Sequence, residues 1–110
     1  MTSQSVRQIS PKELKKKLDN GEQLTLIDVR EPHEREIASL GGDLIPMSAV
    51  LDALARIPRE GTVVVYCRSG GRSGKVVEAL QAQCGYTNLW NLEGGTLRWS
   101  DEVDSSVQKY

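Results

Sequence analysis

The run Thr62-Val63-Val64-Val65-Tyr66 leaves the chain the least choice of fold. It is uncharged and β-branched along most of its length, as a strand buried on both faces must be, and such strands belong to the middle of parallel sheets. It stops abruptly at Cys67. The loop Cys67-Arg68-Ser69-Gly70-Gly71-Arg72-Ser73 follows, and then a helical stretch from about Ser73 to Gln83. Val76, Val77 and Leu80 give that helix an apolar stripe, and Gly85 ends it. Elsewhere short β-type runs alternate with amphipathic stretches. The pattern predicts an α/β fold, a small, mainly parallel central sheet flanked by helices on both faces.

The remaining elements follow from local signals. Ser10, Pro11 and Glu13 are placed as N-cap, first helical residue and capping-box partner of a helix. Leu14 and Leu18 then share one face, and Gly21 is the stop. Leu24 to Val29 reads as a buried strand, Pro32 to Ile37 as a short helix, and Leu44-Ile45 as a brief strand before Pro46. Ser48 is positioned to cap a helix running to about Arg56, with Val50, Leu51, Leu54 and Ala55 inward. Asn88 to Leu92 reads as a further strand, Gly94-Gly95 as a turn, and Thr96 to about Val103 as a final helix with Trp99 inward.

A chain of 110 residues fits a single domain, residues 1–110. At this size a chain buries roughly two-thirds of its unfolded surface, so a core forms without disulfide staples. The net charge is -1 with acids and bases interspersed, which gives no electrostatic reason for a nucleic-acid or anionic-membrane partner. Lys15, Lys16 and Lys17 read as a solvated helix face. The start, MTSQSVRQIS, lacks the apolar stretch of a secretion signal, and no apolar run approaches the roughly 18 residues of a membrane span. Cys67 and Cys84 have neither disulfide-framework nor metal-ligand spacing. The expectation is a cytoplasmic protein in a reducing compartment.

Chemistry concentrates in the loop after the uncharged strand. Ligands of open parallel sheets bind beyond the carboxyl ends of the strands, and Cys67 stands at such an end. The following helix points its N-terminal N–H groups and dipole at the same place. Gly70 and Gly71 let the loop curl with its amides inward. Arg68, Arg72 and Lys75 add positive charge, and no acid occurs from Cys67 to Val77. Each feature favours thiolate over thiol, and the thiolate is the nucleophile. A cysteine after an apolar strand is ordinarily a small buried hydrophobe. A Gly-Gly pair with two arginines beside it is not core composition, and that tips Cys67 toward catalysis.

The loop is similar to the active-site loop of the rhodanese family, in which a catalytic Cys opens a six-residue cradle ahead of a helix. The resemblance extends over nearly the whole chain. Ile9-Ser10 with Glu13-Leu14 resembles the family's opening. Leu26 to Pro32 resembles its "DVRE" signature, and Leu92-Glu93-Gly94-Gly95 with Trp99 resembles its closing motif. Ser39-Leu40-Gly41-Gly42-Asp43 departs from the family's common His-Ile-x-Gly-Ala segment. There the chain resembles rhodanese domains appended to enzymes that adenylylate ubiquitin-like sulfur carriers.

The resemblance implies a sulfurtransferase of the thiosulfate sulfurtransferase type. Cys67 would take sulfane sulfur from a donor such as thiosulfate or a protein persulfide. It would hold that sulfur as a persulfide and yield it to cyanide, a thiol or a carrier protein, in covalent ping-pong catalysis without metal or organic cofactor. The site would comprise Cys67 as nucleophile, the backbone N–H groups of Arg68, Ser69, Gly70, Gly71, Arg72 and Ser73 as cradle, and Arg68 and Arg72 as binders of an anionic donor. Arg72 could bind that donor bidentately, which Lys could not. Asp28 and Arg30 could form an ion pair that braces the neighbouring loop, with direct substrate contact as the alternative. Partners would be small sulfur donors and acceptors, or a cysteine desulfurase or ubiquitin-like sulfur carrier.

Two rivals share the fold. Related phosphatases place five residues between Cys and Arg and a His before the Cys. Here four residues separate Cys67 from Arg72, and Tyr66 precedes the Cys, so the cradle suits sulfur better than phosphate. Other relatives are binding modules that have lost the Cys this chain keeps. Gly70 to Val76 imitates a nucleotide-binding loop, but the glycine spacing is one short and Val76 stands where a hydroxyl must meet magnesium. His33, the only histidine, reads as a surface residue, Cys84 as packing, and Trp90 and Trp99 as core.

Overall fold

The computed structural model describes residues 5–110. Met1 to Gln4, part of the start and of the 1–110 domain expected above, lie outside the described residues. The elements run β1 (Gln8–Ile9), α1 (Pro11–Asp19), β2 (Leu24–Asp28), α2 (Pro32–Ile37), β3 (Asp43–Leu44), β4 (Thr62–Tyr66), α3 (Gly71–Cys84), β5 (Leu89–Leu92) and α4 (Gly95–Glu102). The strands form one sheet in the order β1-β5-β4-β2-β3, and every pairing is parallel. The fold is therefore α/β, as the alternating pattern predicts. Among the described residues no helix is long and apolar enough to cross a membrane.

Strand alternation divides the core. Val63, Val65 and Cys67 of the β4 run face one side, where they pack with Val76, Val77 and Leu80 of α3. Val64 and Tyr66 face the other, with Leu14 of α1 and Trp99 of α4. Helices thus cover both faces. The same alternation delivers the Cys67 side chain to the α3 face. Asp28 pairs with Tyr66 and Leu44 pairs with Asp28, so the segments after β2, β3 and β4 open at one edge of the sheet.

The capping box of α1 is present: the Ser10 amide donates to Glu13 Oε1 at 3.0 Å, and the Glu13 amide donates to Ser10 Oγ at 3.1 Å. Leu14 is buried, but Leu18 in the last turn is 39% exposed, so only the first half of α1 packs. Gly85 ends α3 in the left-handed region at φ 72°.

The helix expected from Ser48 to Arg56 is instead two 3₁₀ turns, Met47–Asp52 and Leu54–Arg56. Pro46, not Ser48, precedes the first, and the Met47 amide is tied to the Val29 carbonyl at 3.0 Å. Three residues per turn bring Val50 and Ala53 to the core side together. Leu51, expected inward, is 57% exposed, and Ala55 is exposed as well. Trp99 is core, but Trp90 is half-buried with the Arg7 guanidinium over its ring at 4.8 Å. β1 carries no anticipated strand signal. Its two residues add to the sheet edge through the Asn91 amide, which donates to the Arg7 carbonyl at 2.8 Å.

Candidate active site

The Cys67 side chain lies where β4 ends and the loop begins, 1% exposed. Its Sγ accepts from the Gly70 amide at 3.1 Å, the Ser73 amide at 3.4 Å and the Ser73 hydroxyl at 3.3 Å. Burial pushes the thiol pKa up. The Ser73 hydroxyl and the amides of Ser73, Gly70 and Ser69 outweigh that and bring it below the ordinary thiol value. All of these partners are donors, so the pocket selects a negative sulfur.

Two helix N-termini build this arrangement. The first belongs to α3. Gly70 precedes it at φ 97°, a conformation that a side chain would strain, and this turns the next amides toward the sulfur. The second belongs to α4. The Thr96 amide donates to the Cys67 carbonyl at 3.0 Å, and the Leu97 amide donates to the Arg68 carbonyl at 3.1 Å. The loop carbonyls are thereby held by α4 while the loop amides face the sulfur. This approach requires Gly95: a Cβ there would lie 2.4 Å from the Cys67 carbonyl oxygen. The Gly94-Gly95 turn and the Cys67 loop are therefore one construction.

Asn91, buried on β5, locks the loop from below. Its Nδ2 donates to the Gly70 carbonyl at 3.1 Å and to Gln8 Oε1 at 3.0 Å, while its Oδ1 accepts from the Ser73 hydroxyl. The single hydroxyl proton of Ser73 is thus shared between Asn91 and the sulfur.

At the rim, Arg72 is paired with an acid from another element. Its Nη1 donates to Glu34 Oε2 and its Nη2 donates to Glu34 Oε1, both at 2.7 Å. The Arg72 guanidinium holds the Glu34 carboxyl down to about 2, against the smaller upward push of burial. Arg68 is exposed, with its guanidinium carbon 5.0 Å from the centroid of the Tyr110 ring. Ser69 is exposed on the loop, and Gly71 and Lys75 are exposed on α3.

Asp28 and Arg30 form an ion pair at 0% exposure. Arg30 Nε and Nη2 donate to the two carboxylate oxygens of Asp28 at 2.9 Å, and Nη2 also reaches the Ala38 carbonyl at 2.7 Å. Its Nη1 donates to the Tyr110 hydroxyl at 2.9 Å. The pair joins the loop after β2 to the segment around Ala38, as a brace does. His33 is exposed and Cys84 ends α3, the opposite end from the cradle.

Sequence reasoning missed Glu34, Asn91, Thr96 and Tyr110. Asn91 left a signal, an amide in the otherwise apolar run Leu89–Leu92. Glu34 and Tyr110 left none, because their partners lie 38 and 80 positions away.

Comparison with known proteins agrees with this construction. The family described as Rhodanese-like domain matches residues 10–102. A sulfurtransferase of Allochromatium vinosum is 34% identical over 96 residues, covering 86% of this chain and 89% of that protein. A probable adenylyltransferase/sulfurtransferase, MoeZ, of Mycobacterium tuberculosis is 36% identical over 105 residues, 93% of this chain. The chain spans about a quarter of that relative's length. A rhodanese-like domain protein from Staphylococcus aureus superposes with a TM-score of 0.79 at 31% identity, covering 96% of this chain and 99% of that one. The family match over residues 10–102, together with the likeness to the Allochromatium sulfurtransferase over most of both chains, shows that this chain belongs to the family of rhodanese-like domains.

Proposed function

We propose that this domain is a sulfurtransferase that carries sulfane sulfur as a persulfide on Cys67. Family membership and the sulfurtransferase names of its relatives support the class of reaction. The observation that carries the assignment to Cys67 is its buried sulfur, held by the Gly70 and Ser73 amides and the Ser73 hydroxyl.

In the cycle proposed, the Cys67 thiolate attacks the outer sulfur of a donor. With thiosulfate, the S–S bond to the sulfonate breaks and sulfite leaves with the electron pair. The new Cys67–S–S⁻ keeps its negative charge against the inward amides, which are fixed before the reaction and need no reorganisation. A nucleophilic acceptor then attacks the outer sulfur and the Cys67 thiolate is restored; cyanide would leave as thiocyanate. Residues 68 to 73 form the cradle, and Asp28 and Arg30 brace the wall beside it. Arg68, which among the described residues pairs with no carboxylate, binds an anionic donor. Arg72 shapes the rim with its charge matched by Glu34.

Protein partners fit this cycle as well as small molecules. Relatives that contain this domain as one part also carry adenylyltransferase in their names. That supports an adenylylated carrier protein of the ubiquitin-like kind as acceptor, and a cysteine desulfurase is the protein donor proposed with it. Two free thiols support a reducing, cytoplasmic setting. A phosphatase reading is disfavoured because Arg72 donates both Nη atoms to Glu34 rather than to an open anion site. A pure binding module would have no use for a depressed thiol pKa.

Steady-state transfer from thiosulfate to cyanide tests the proposal. Double-reciprocal plots at varied cyanide should be parallel, the mark of a covalent intermediate, and Cys67→Ser should form no thiocyanate. Turnover that survives Cys67→Ser would refute it.

A further inference from the structure

The rim presents its arginines in unlike states. Arg72 gives two donors to Glu34 at 2.7 Å, so an incoming anion meets an ion pair there and not a cation. Lys75 lines a different flank of α3, with Met47 and Leu51. Arg68 is exposed, and among the described residues it donates to no carboxylate; what it touches is the ring of Tyr110 at 5.0 Å. Stacking uses the face of a guanidinium and leaves its five edge N–H donors open. Glu34 therefore neutralises Arg72 and takes two of its donors, whereas Tyr110 holds Arg68 without taking any.

Tyr110 is itself fixed. Its hydroxyl accepts from Arg30 Nη1 at 2.9 Å and donates to Glu34 Oε1 at 3.0 Å. Arg30 is immobilised by Asp28, and Glu34 by Arg72 and by the Glu31 amide at 2.8 Å. The segment leading to Tyr110 is held by Val103 and Val107, which pack on the apolar cluster beneath α1 and α4, and by an ion pair between Lys109 and Asp101. An unrestrained arginine spreads its charge over many rotamers. One stacked on an anchored ring keeps it in one place.

We infer that Tyr110 is a positioning residue that holds Arg68 at the cradle mouth and so makes Cys67 prefer anionic over neutral reagents. The inference rests on the reading of Cys67 as the reactive sulfur and deepens it: one aromatic residue sets how strongly Arg68 favours an anionic reagent.

Alkylation of Cys67 in the full chain by iodoacetate and by iodoacetamide tests this, with the Cys67 peptide followed by mass so that Cys84 does not contribute. The readout is the ratio of the anionic to the neutral rate. Arg68→Ala and Tyr110→Ala should each lower that ratio by about three- to fivefold, the size of a partly exposed charge contact. The iodoacetamide rate of Tyr110→Ala should stay within about twofold. Tyr110→Phe keeps the ring face but loses both hydroxyl anchors, so its ratio should fall between those of the wild type and Tyr110→Ala. The double variant Arg68→Ala with Tyr110→Ala should be no lower than Arg68→Ala alone, because both changes remove one interaction. If Tyr110→Ala fails to fold, Tyr110→Leu, which keeps bulk without the π face, should lower the ratio in its place. The inference is overturned if the Tyr110 variants lacking a ring keep the wild-type ratio, if the double variant loses the sum of both effects, or if Arg68→Ala changes nothing. The ratio needs no sulfur transfer, so this inference and the sulfurtransferase reading can fail separately.

Discussion

The cradle and the rim of this site are built on opposite principles. The cradle around Cys67 uses backbone amides and one hydroxyl, all within six residues of the sulfur and fixed by the N-termini of α3 and α4. The rim uses long side chains, joining Arg68 and Arg72 of the loop to Arg30, Glu34 and Tyr110 from distant parts of the chain. Amide positions are set by the fold and cost no side-chain entropy when charge forms on the sulfur. Rim groups tune instead. They settle which charge faces the mouth, and they are adjustable one residue at a time. On the proposed function, stabilising the negative sulfur and choosing the donor would fall to different kinds of atoms.

The largest effect should come from the cradle's framework. Gly95→Ala puts a methyl 2.4 Å from the Cys67 carbonyl at a residue with φ 59°, so it must push α4 off the loop. A loss of roughly 2–4 kcal/mol in unfolding free energy should result, with slower alkylation of Cys67 in the fraction that folds. Stability close to wild type in urea would mean that α4 does not hold the loop.

Next comes the acid limb of stability, which belongs to the rim. The Glu34 carboxyl is held at about 2 in the folded chain, below its ordinary 4.5. Its contribution is full above the ordinary value and is lost as pH falls from about 5 toward 2. Glu34→Gln should cost about 2 kcal/mol at pH 7, allowing for the part-open Arg72, and nearly nothing at the acid end. Urea unfolding of both proteins across that range checks it. Parallel curves would deny the pair a role.

The smallest effect falls within the cradle. Alkylation of Cys67 by iodoacetamide should reach its plateau at lower pH than an ordinary thiol requires. Ser73→Ala removes the one hydroxyl donor to the sulfur and should move the midpoint up by roughly half to one unit. An unmoved midpoint would show that the Ser73 proton belongs to Asn91 and not to the sulfur.

The contrast between cradle and rim also explains how much was legible in the sequence. The β4 run, the Cys67 loop and the start of α3 are contiguous, and strand alternation, glycine freedom and helix polarity act over a few residues. Local pattern therefore located Cys67 and the amides around its sulfur. Glu34 and Arg72 are 38 residues apart and Arg30 and Tyr110 are 80 apart, and no local pattern joins them. Arg72 read as an open anion binder because its own neighbourhood holds no acid; the acid arrives from α2. The Met47–Arg56 stretch misled for a related reason. Its apolar residues fit a 3.6-residue period, but the tether of Met47 to Val29 and the Pro46 entry hold it in 3₁₀ geometry.

Locating the transferred sulfur atom tests the proposed mechanism most directly. The reduced protein is charged with thiosulfate and, in parallel, with a cysteine desulfurase and cysteine; it is then capped with iodoacetamide, digested and analysed by peptide mass. Persulfide transfer through the cradle predicts one added sulfur on the Cys67 peptide with at least one of these donors, none on the Cys84 peptide, and its loss on treatment with cyanide before capping. Added sulfur on Cys84 alone, or on neither peptide with either donor, would contradict it.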